Sequence, residues 1–100
     1  MDKREAIGKV TQYSSLLKQH MQFEKVYLFG SYAKNTNRED SDIDVAIVVK
    51  HVDGDFFSVT PLLWKLRREV DDRIEPILIE RDFDDAGFMS EILEHGIEIA

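Results

Sequence analysis

Two groups of residues in this chain are spaced to do chemistry together. The run Leu28-Phe29-Gly30-Ser31-Tyr32-Ala33 closes an apolar stretch with a Gly-Ser turn. Ten residues then separate Ser31 from Asp42-Ile43-Asp44, which opens a second apolar stretch, Val45-Ala46-Ile47-Val48-Val49. Gly30 lacks a Cβ, so a phosphate can approach its backbone. Ser31 adds a hydroxyl where a short helix should begin with free N–H groups and a positive dipole end. Asp42 and Asp44 are two residues apart on extended chain, so both side chains leave one face, with Cα atoms roughly 6.6 Å apart. Such a pair can hold one divalent cation, or two ions about 3.5 to 4 Å apart. Buried without a cation, it would set two like charges side by side. A phosphate turn beside a carboxylate pair for magnesium or manganese is a site for a metal-bound nucleoside triphosphate.

Taken singly, a Gly-Ser pair is an ordinary turn and an Asp-x-Asp an ordinary solvated loop; their position at the ends of two apolar strands is what joins them. Two-metal phosphoryl or nucleotidyl transfer calls for a further carboxylate to hold the second ion and receive the acceptor's proton. Glu75 is the candidate, because it lies among apolar residues, whereas Asp71, Asp72, Glu80 and Asp82 fall at element ends where charge is ordinary. The competing use for Glu75 is as an edge-strand residue facing water beside Pro76. An EF-hand loop counted from Asp40 fails, since its sixth and twelfth places hold Val45 and His51 where glycine and glutamate are needed. No Walker lysine, dinucleotide glycine pattern or His-Glu-x-x-His helix is present. His20, His51 and His95 are scattered and receive no role. Lys34 and Lys50 are weaker candidates for the phosphates, and Tyr32 for flanking the nucleotide or covering the small helix.

These residues need elements to hold them. Ile7, Val10, Tyr13, Leu17 and Met21 recur at helical spacing and predict a packing helix over 3–21. Residues 25–29 and 43–49 predict buried strands, with a turn of helix and a polar loop between them. His51 to Asp55 read as a turn, and Thr60-Pro61 as the cap and first turn of a helix carrying Leu62, Leu63, Leu66 and Val70 to near Asp72. Residues 73–79 predict a third strand, which Pro76 assigns to a sheet edge or a bulge. Asp82 or Asp84 can cap a last helix with Ala86, Met89, Ile92 and Leu93, ended by a left-handed Gly96. Ile97 and Ile99 alternate as a final short strand. The fold class expected is α/β (α+β), a mixed β-sheet with flanking helices.

With 100 residues, 43% of them hydrophobic, the chain can bury one core, and residues 1–100 are expected to form a single domain. No apolar run reaches the ~18 to 20 residues that span a bilayer, so a soluble cytoplasmic protein without membrane association is expected. The absence of cysteine excludes thiolate metal sites. A net charge of −7 argues against gripping extended nucleic acid, which usually takes a basic face. Trp64 and the Phe56-Phe57 pair fit core or partner packing better than base stacking.

Gly30-Ser31, ten residues and Asp42-x-Asp44, set within Leu28-Phe29-Gly-Ser-x-Ala and Ser41-Asp-Ile-Asp-Val, resemble the signature of the DNA polymerase β-type nucleotidyltransferase superfamily. More narrowly, they resemble its minimal nucleotidyltransferases, and the likeness runs from the leading helix to the closing His-Gly-Ile segment. The resemblance implies that Gly30 and Ser31 bind the triphosphate of ATP. It implies that Asp42 and Asp44 hold two Mg2+ ions and that Glu75 takes the place of the third catalytic carboxylate. Two positions depart from the family: Asn35 stands where glycine is common, and the third acid, usually aspartate, is here a glutamate. The resemblance further implies an antitoxin that transfers AMP to a tyrosine of a HEPN-type toxin; a homodimer and a hetero-oligomer with that partner both stay open. The chain itself lacks an Arg-x(4–6)-His ribonuclease motif. Two other uses of the same fold stay open. One is neutralisation of a partner by complex formation alone, and the other is transfer to a small molecule such as an aminoglycoside.

Overall fold

The computed structural model describes residues 1–51, 56–84 and 87–100. The turn expected over 52–55 and the position of Ala86 lie outside the described residues, as do the side chains of Phe56 and Phe57. Helix α1 (Lys3–Lys18) leads into strand β1 (Lys25–Phe29), the one-turn helix α2 (Ser31–Lys34) and strand β2 (Ile43–Val49). Helix α3 (Phe56–Arg67) then connects to strand β3 (Ile74–Glu80), a 3-10 turn (Arg81–Phe83), helix α4 (Phe88–His95) and strand β4 (Ile97–Glu98). The strands lie in the order β3-β2-β1-β4. β1 is antiparallel to both β2 and β4, whereas β2 and β3 run parallel because α3 carries the chain back between them. The sheet is mixed, as the order of elements predicts, and Pro76 sits on the edge strand, where its missing N–H costs least.

Alternation along the strands divides the apolar side chains between two faces. Val26, Leu28, Ile43, Val45, Ile47 and Ile74 join Ala6, Val10, Tyr13 and Leu17 of α1 and Leu63 and Leu66 of α3 in the main core. Tyr27, Ala46, Val48 and Ile79 on the opposite face meet Ile92 of α4, with Phe29, Phe88 and Met89 alongside. Asp44 and Glu75 fall in the alternation of this second face, the one against which the short α4 packs.

Several boundaries differ from the sequence expectation. α1 starts where Asp2 Oδ1 accepts the Glu5 N–H at 2.8 Å, but it ends at Lys18 and not at Met21. The last turn tightens through bonds from Gln19 N–H to Leu16 O and from His20 N–H to Leu17 O. Met21 still packs on the core from beyond the helix. An apolar stripe reports burial and not helicity, so it overran. α3 begins at Phe56, ahead of Thr60, and contains Pro61 in its interior; it ends at Arg67, well short of Asp72. Pro61 is the sixth of the twelve residues of α3 and has no N–H to donate, so it forfeits one helical bond there. At the far end, Val70 and Asp71 donate back to Arg67 O in a turn that keeps Val70 against the core. Asp84 and not Asp82 holds the start of α4, accepting the N–H groups of Phe88 and Met89 at 2.9 and 2.8 Å. Leu93 faces outward at 64% exposure. Gly96 is extended (φ −76°, ψ 158°), so no left-handed turn explains it. Close approach does: a Cβ there would stand 2.5 Å from Ile92 O.

The segment leading into β3 is tied down by charge. Asp71 accepts from Arg73 Nη2 at 2.8 Å, Arg73 Nε at 3.0 Å and the Arg73 backbone N–H at 2.9 Å, and Lys9 Nζ lies 3.9 Å away. The Arg73 hydrogen bonds hold the Asp71 carboxyl down at about 2, from an ordinary 3.8. A depressed acid stabilises the fold above its unfolded value and loses that contribution as pH falls through the folded one. Urea titrations should therefore show stability declining between about pH 4 and pH 2 by on the order of 1 kcal/mol for this group, after allowance for screening of its half-exposed partner. Asp71→Asn should flatten that part of the profile; an unchanged slope would show that the pair contributes nothing.

Candidate functional site

The end of β1 and the start of β2 are hydrogen-bonded neighbours, and this pairing builds the site. Phe29 pairs with Asp44, so the turn after Phe29 is delivered to the Asp44 side chain. Gly30 takes φ 72° and ψ −148°, a region open in practice only to glycine. A Cβ built on it would overlap Asp44 Oδ2 and come within 2.9 Å of Asp44 Cγ. Backbone and carboxylate thus touch without a side chain between them. Ser31 begins α2, whose single turn is closed by Lys34 N–H to Gly30 O at 3.1 Å. Asn35 ends α2 in the left-handed conformation (φ 59°), which asparagine enters more readily than most residues and which glycine would also satisfy.

Glu75 arrives from the other side. The parallel pairing of β2 with β3 sets Asp44 opposite Glu75, and neighbouring strands lie about 4.8 Å apart. Asp42 stands immediately before β2, two residues from Asp44. The three acids act on one another. Partial burial, then the charge of Asp42, pushes the Asp44 carboxyl upward. Glu75 is exposed on the edge strand beside Pro76, the competing placement the sequence offered, yet its carboxyl is raised, first by the little desolvation it has, then by the charge and hydrogen bonding of Asp42 and by the charge of Asp44, with Arg67 pulling the other way. Among the described residues no three acidic or imidazole groups already stand at metal-ligand spacing. The carboxylates lie at the same end of the β2–β3 pair but repel each other, which is the arrangement a cation would draw together. The donor set is all oxygen and suits a hard divalent ion such as magnesium. Phe29 and Phe88, edge to face at 5.9 Å, fix α4 beside this group.

Other candidates separate from the site. Lys50 follows β2 at its far end, the length of the strand away from Asp44, and so does not reach phosphates bound at Gly30. Lys34 is close in chain, but its ammonium pairs with Glu91 of α4 at 3.5 Å. Tyr32 is wholly buried in the main core, covering α2 from beneath and not flanking a ligand. Trp64 is 39% exposed, and the Arg67 guanidinium lies 4.5 Å from its ring centre. Arg67 itself was not legible in sequence, where a cation in the last turn of a helix looks like an ordinary dipole partner.

Residues 11–100 match the family described as Polymerase beta, Nucleotidyltransferase. The chain belongs to this family. Among relatives of this nucleotidyltransferase is MJ0141 of Methanocaldococcus jannaschii, whose name describes a protein adenylyltransferase. It is 30% identical over 88 residues, which is 86% of each chain. Solved structures of distant sequence share the fold. A Sulfolobus solfataricus protein described as a nucleotidyltransferase superposes with TM-score 0.70 at 16% identity, covering 96% of this chain and 80% of its own. A toxin–antitoxin complex with AMP-PNP gives 0.69 at 21% identity, over 94% and 72%. The toxin–antitoxin pair MntA–HpeT gives 0.64 at 18% identity, over 100% and 73%. The mixed sheet is thus the polymerase β-like nucleotidyltransferase fold. Among the described residues no helix is long and apolar enough to cross a membrane.

Proposed function

We propose that this nucleotidyltransferase moves AMP from ATP to a hydroxyl on a partner protein, a tyrosine of a HEPN-type toxin, and so acts as a magnesium-dependent antitoxin in the cytoplasm. The observation that carries the reading is the close approach of Gly30 to Asp44, opposite Glu75: a bare backbone turn abuts one carboxylate, and a second lies across from it in the strand register. Protein adenylylation is supported by the name of the M. jannaschii relative, and a toxin partner by the complexes that share the fold. HEPN identity and the tyrosine rest on the resemblance of the motifs alone.

Gly30 and Ser31 receive the triphosphate, the glycine by giving no steric hindrance and the serine through its hydroxyl and backbone N–H. Asp42, Asp44 and Glu75 would hold magnesium, two ions in the family's pattern, which when bound offsets the phosphate charge and polarises the α-phosphate. The acceptor oxygen forms a bond to the α-phosphorus as the α–β bridging bond breaks in line with it, and pyrophosphate departs with that bond's electrons. A Glu75 carboxylate oxygen takes the acceptor's proton, a role suited to a carboxyl whose proton affinity its surroundings have raised. Phe29, the register partner of Asp44, packs edge to face on Phe88 of α4.

Mass spectrometry of the cognate toxin after incubation with this chain, ATP and magnesium should show one added AMP on a tyrosine. No adduct on a partner that demonstrably binds would remove the catalytic claim and leave neutralisation by complex formation.

A further inference from the structure

We infer that Arg67 is a positioning residue that holds Glu75 opposite Asp44, acting through the backbone of the segment that enters β3. The inference rests on reading Glu75 as a cation-holding acid. Arg67 Nη1 donates to Asp72 O at 2.6 Å and to Ile74 O at 3.1 Å, two carbonyls on alternate residues. The carbonyl between them, Arg73 O, accepts the N–H of Ile43 at 2.8 Å, and Ile43 is the residue between Asp42 and Asp44. Carbonyls of an extended chain point alternately to its two sides. Residues 72 and 74 therefore face Arg67 while residue 73 faces β2, and the segment is gripped from both sides one residue before Glu75.

The grip is pre-organised. The guanidinium is stacked on Trp64 at 4.5 Å, and its Nε is buried with no hydrogen-bond partner among the described residues. A planar, always charged group lies flat on the indole while one of its nitrogens donates to both carbonyls, which fixes the direction of those donors as a flexible ammonium does not. β3 is an edge strand, so its outer carbonyls have no neighbouring strand to order them, and Arg67 supplies donors in place of one. Its charge also reaches Glu75.

The test uses Arg67→Met and Arg67→Lys with two readouts. Mn2+ titration followed by electron paramagnetic resonance should show about tenfold weaker binding in both variants, the range seen when groups that orient metal ligands are lost. Leu17→Ala, a core truncation remote from the acids, should lower Tm as much or more yet keep Mn2+ affinity within twofold. A folded Arg67→Met chain with unchanged Mn2+ affinity would overturn the inference, and so would an equal loss in Leu17→Ala. Hydrogen exchange without metal gives the second readout. In Arg67→Lys the amides of Arg73, Ile74 and Glu75 should exchange at least ~10-fold faster while those pairing β1 with β2 stay unchanged. No local change there refutes the positioning role whatever the metal result. If the unsubstituted chain fails to bind Mn2+, the reading of the acids falls, and the exchange result still judges Arg67 by itself.

Discussion

Replacing Asp42 and Asp44 together by asparagine is expected to abolish AMP transfer while leaving the chain at least as stable as before. The loss follows from removing two of the three oxygen donors, and groups that act as a unit lose nearly everything together, here about a thousandfold or more in rate. The stability result has the opposite sign to most substitutions at partly buried positions. Asp44 is raised because burial and Asp42 both disfavour its charge. An acid whose folded value lies above its unfolded one weakens the fold as pH climbs through that interval, and the deficit persists at neutral pH. Asparagine has no charge to bury, so Tm at pH 7 should hold or rise. Tm below that of the unsubstituted chain, together with surviving transfer, would contradict the description of the site. The same variant separates the two uses of the fold: a toxin still neutralised by it, without AMP attached, is neutralised by binding.

Gly30→Ala carries the second large effect, this time on both properties. The backbone at φ 72° and ψ −148° is strained for any residue with a Cβ, and the new methyl would occupy the place of the Asp44 carboxylate. A penalty of about 3 kcal/mol is expected from strain and overlap combined, which for a domain of this size lowers Tm by at least ~10 °C. Transfer should vanish with it, because the turn and the carboxylate cannot both keep their places. A double-mutant cycle isolates the contact. In an Asp44→Gly background the overlap is gone and only the backbone strain persists, so Gly30→Ala should cost distinctly less there. Equal costs in both backgrounds would show that the two residues do not press on each other.

The readings that held were local ones. The ranges 25–29 and 43–49 were legible because consecutive branched and aromatic residues bounded by glycine and polar turns leave few alternatives. Pro76 narrowed β3 to a sheet edge or a bulge, and the strand order puts it at the edge. Helix ends were read less well. Met21 and Val70 continue their apolar stripes after the chain has left the helix, since a side chain can reach the core from a turn as well as from a helix. Gly96 shows a similar ambiguity: a helix-ending glycine can serve positive φ or close contact, and here the Ile92 carbonyl requires the contact.

By itself the sequence determined which residues could carry charge and phosphate, and that Asp42 and Asp44 stand two residues apart at the opening of one strand, because such spacing is a property of a few consecutive residues. Only the tertiary structure decided that Gly30 rests on Asp44, that Glu75 stands across from it and that Arg67 holds the intervening backbone. Those relations depend on strand register and on the path of α3 between β2 and β3. Register is settled by the summed packing of two faces and not by any one residue's type.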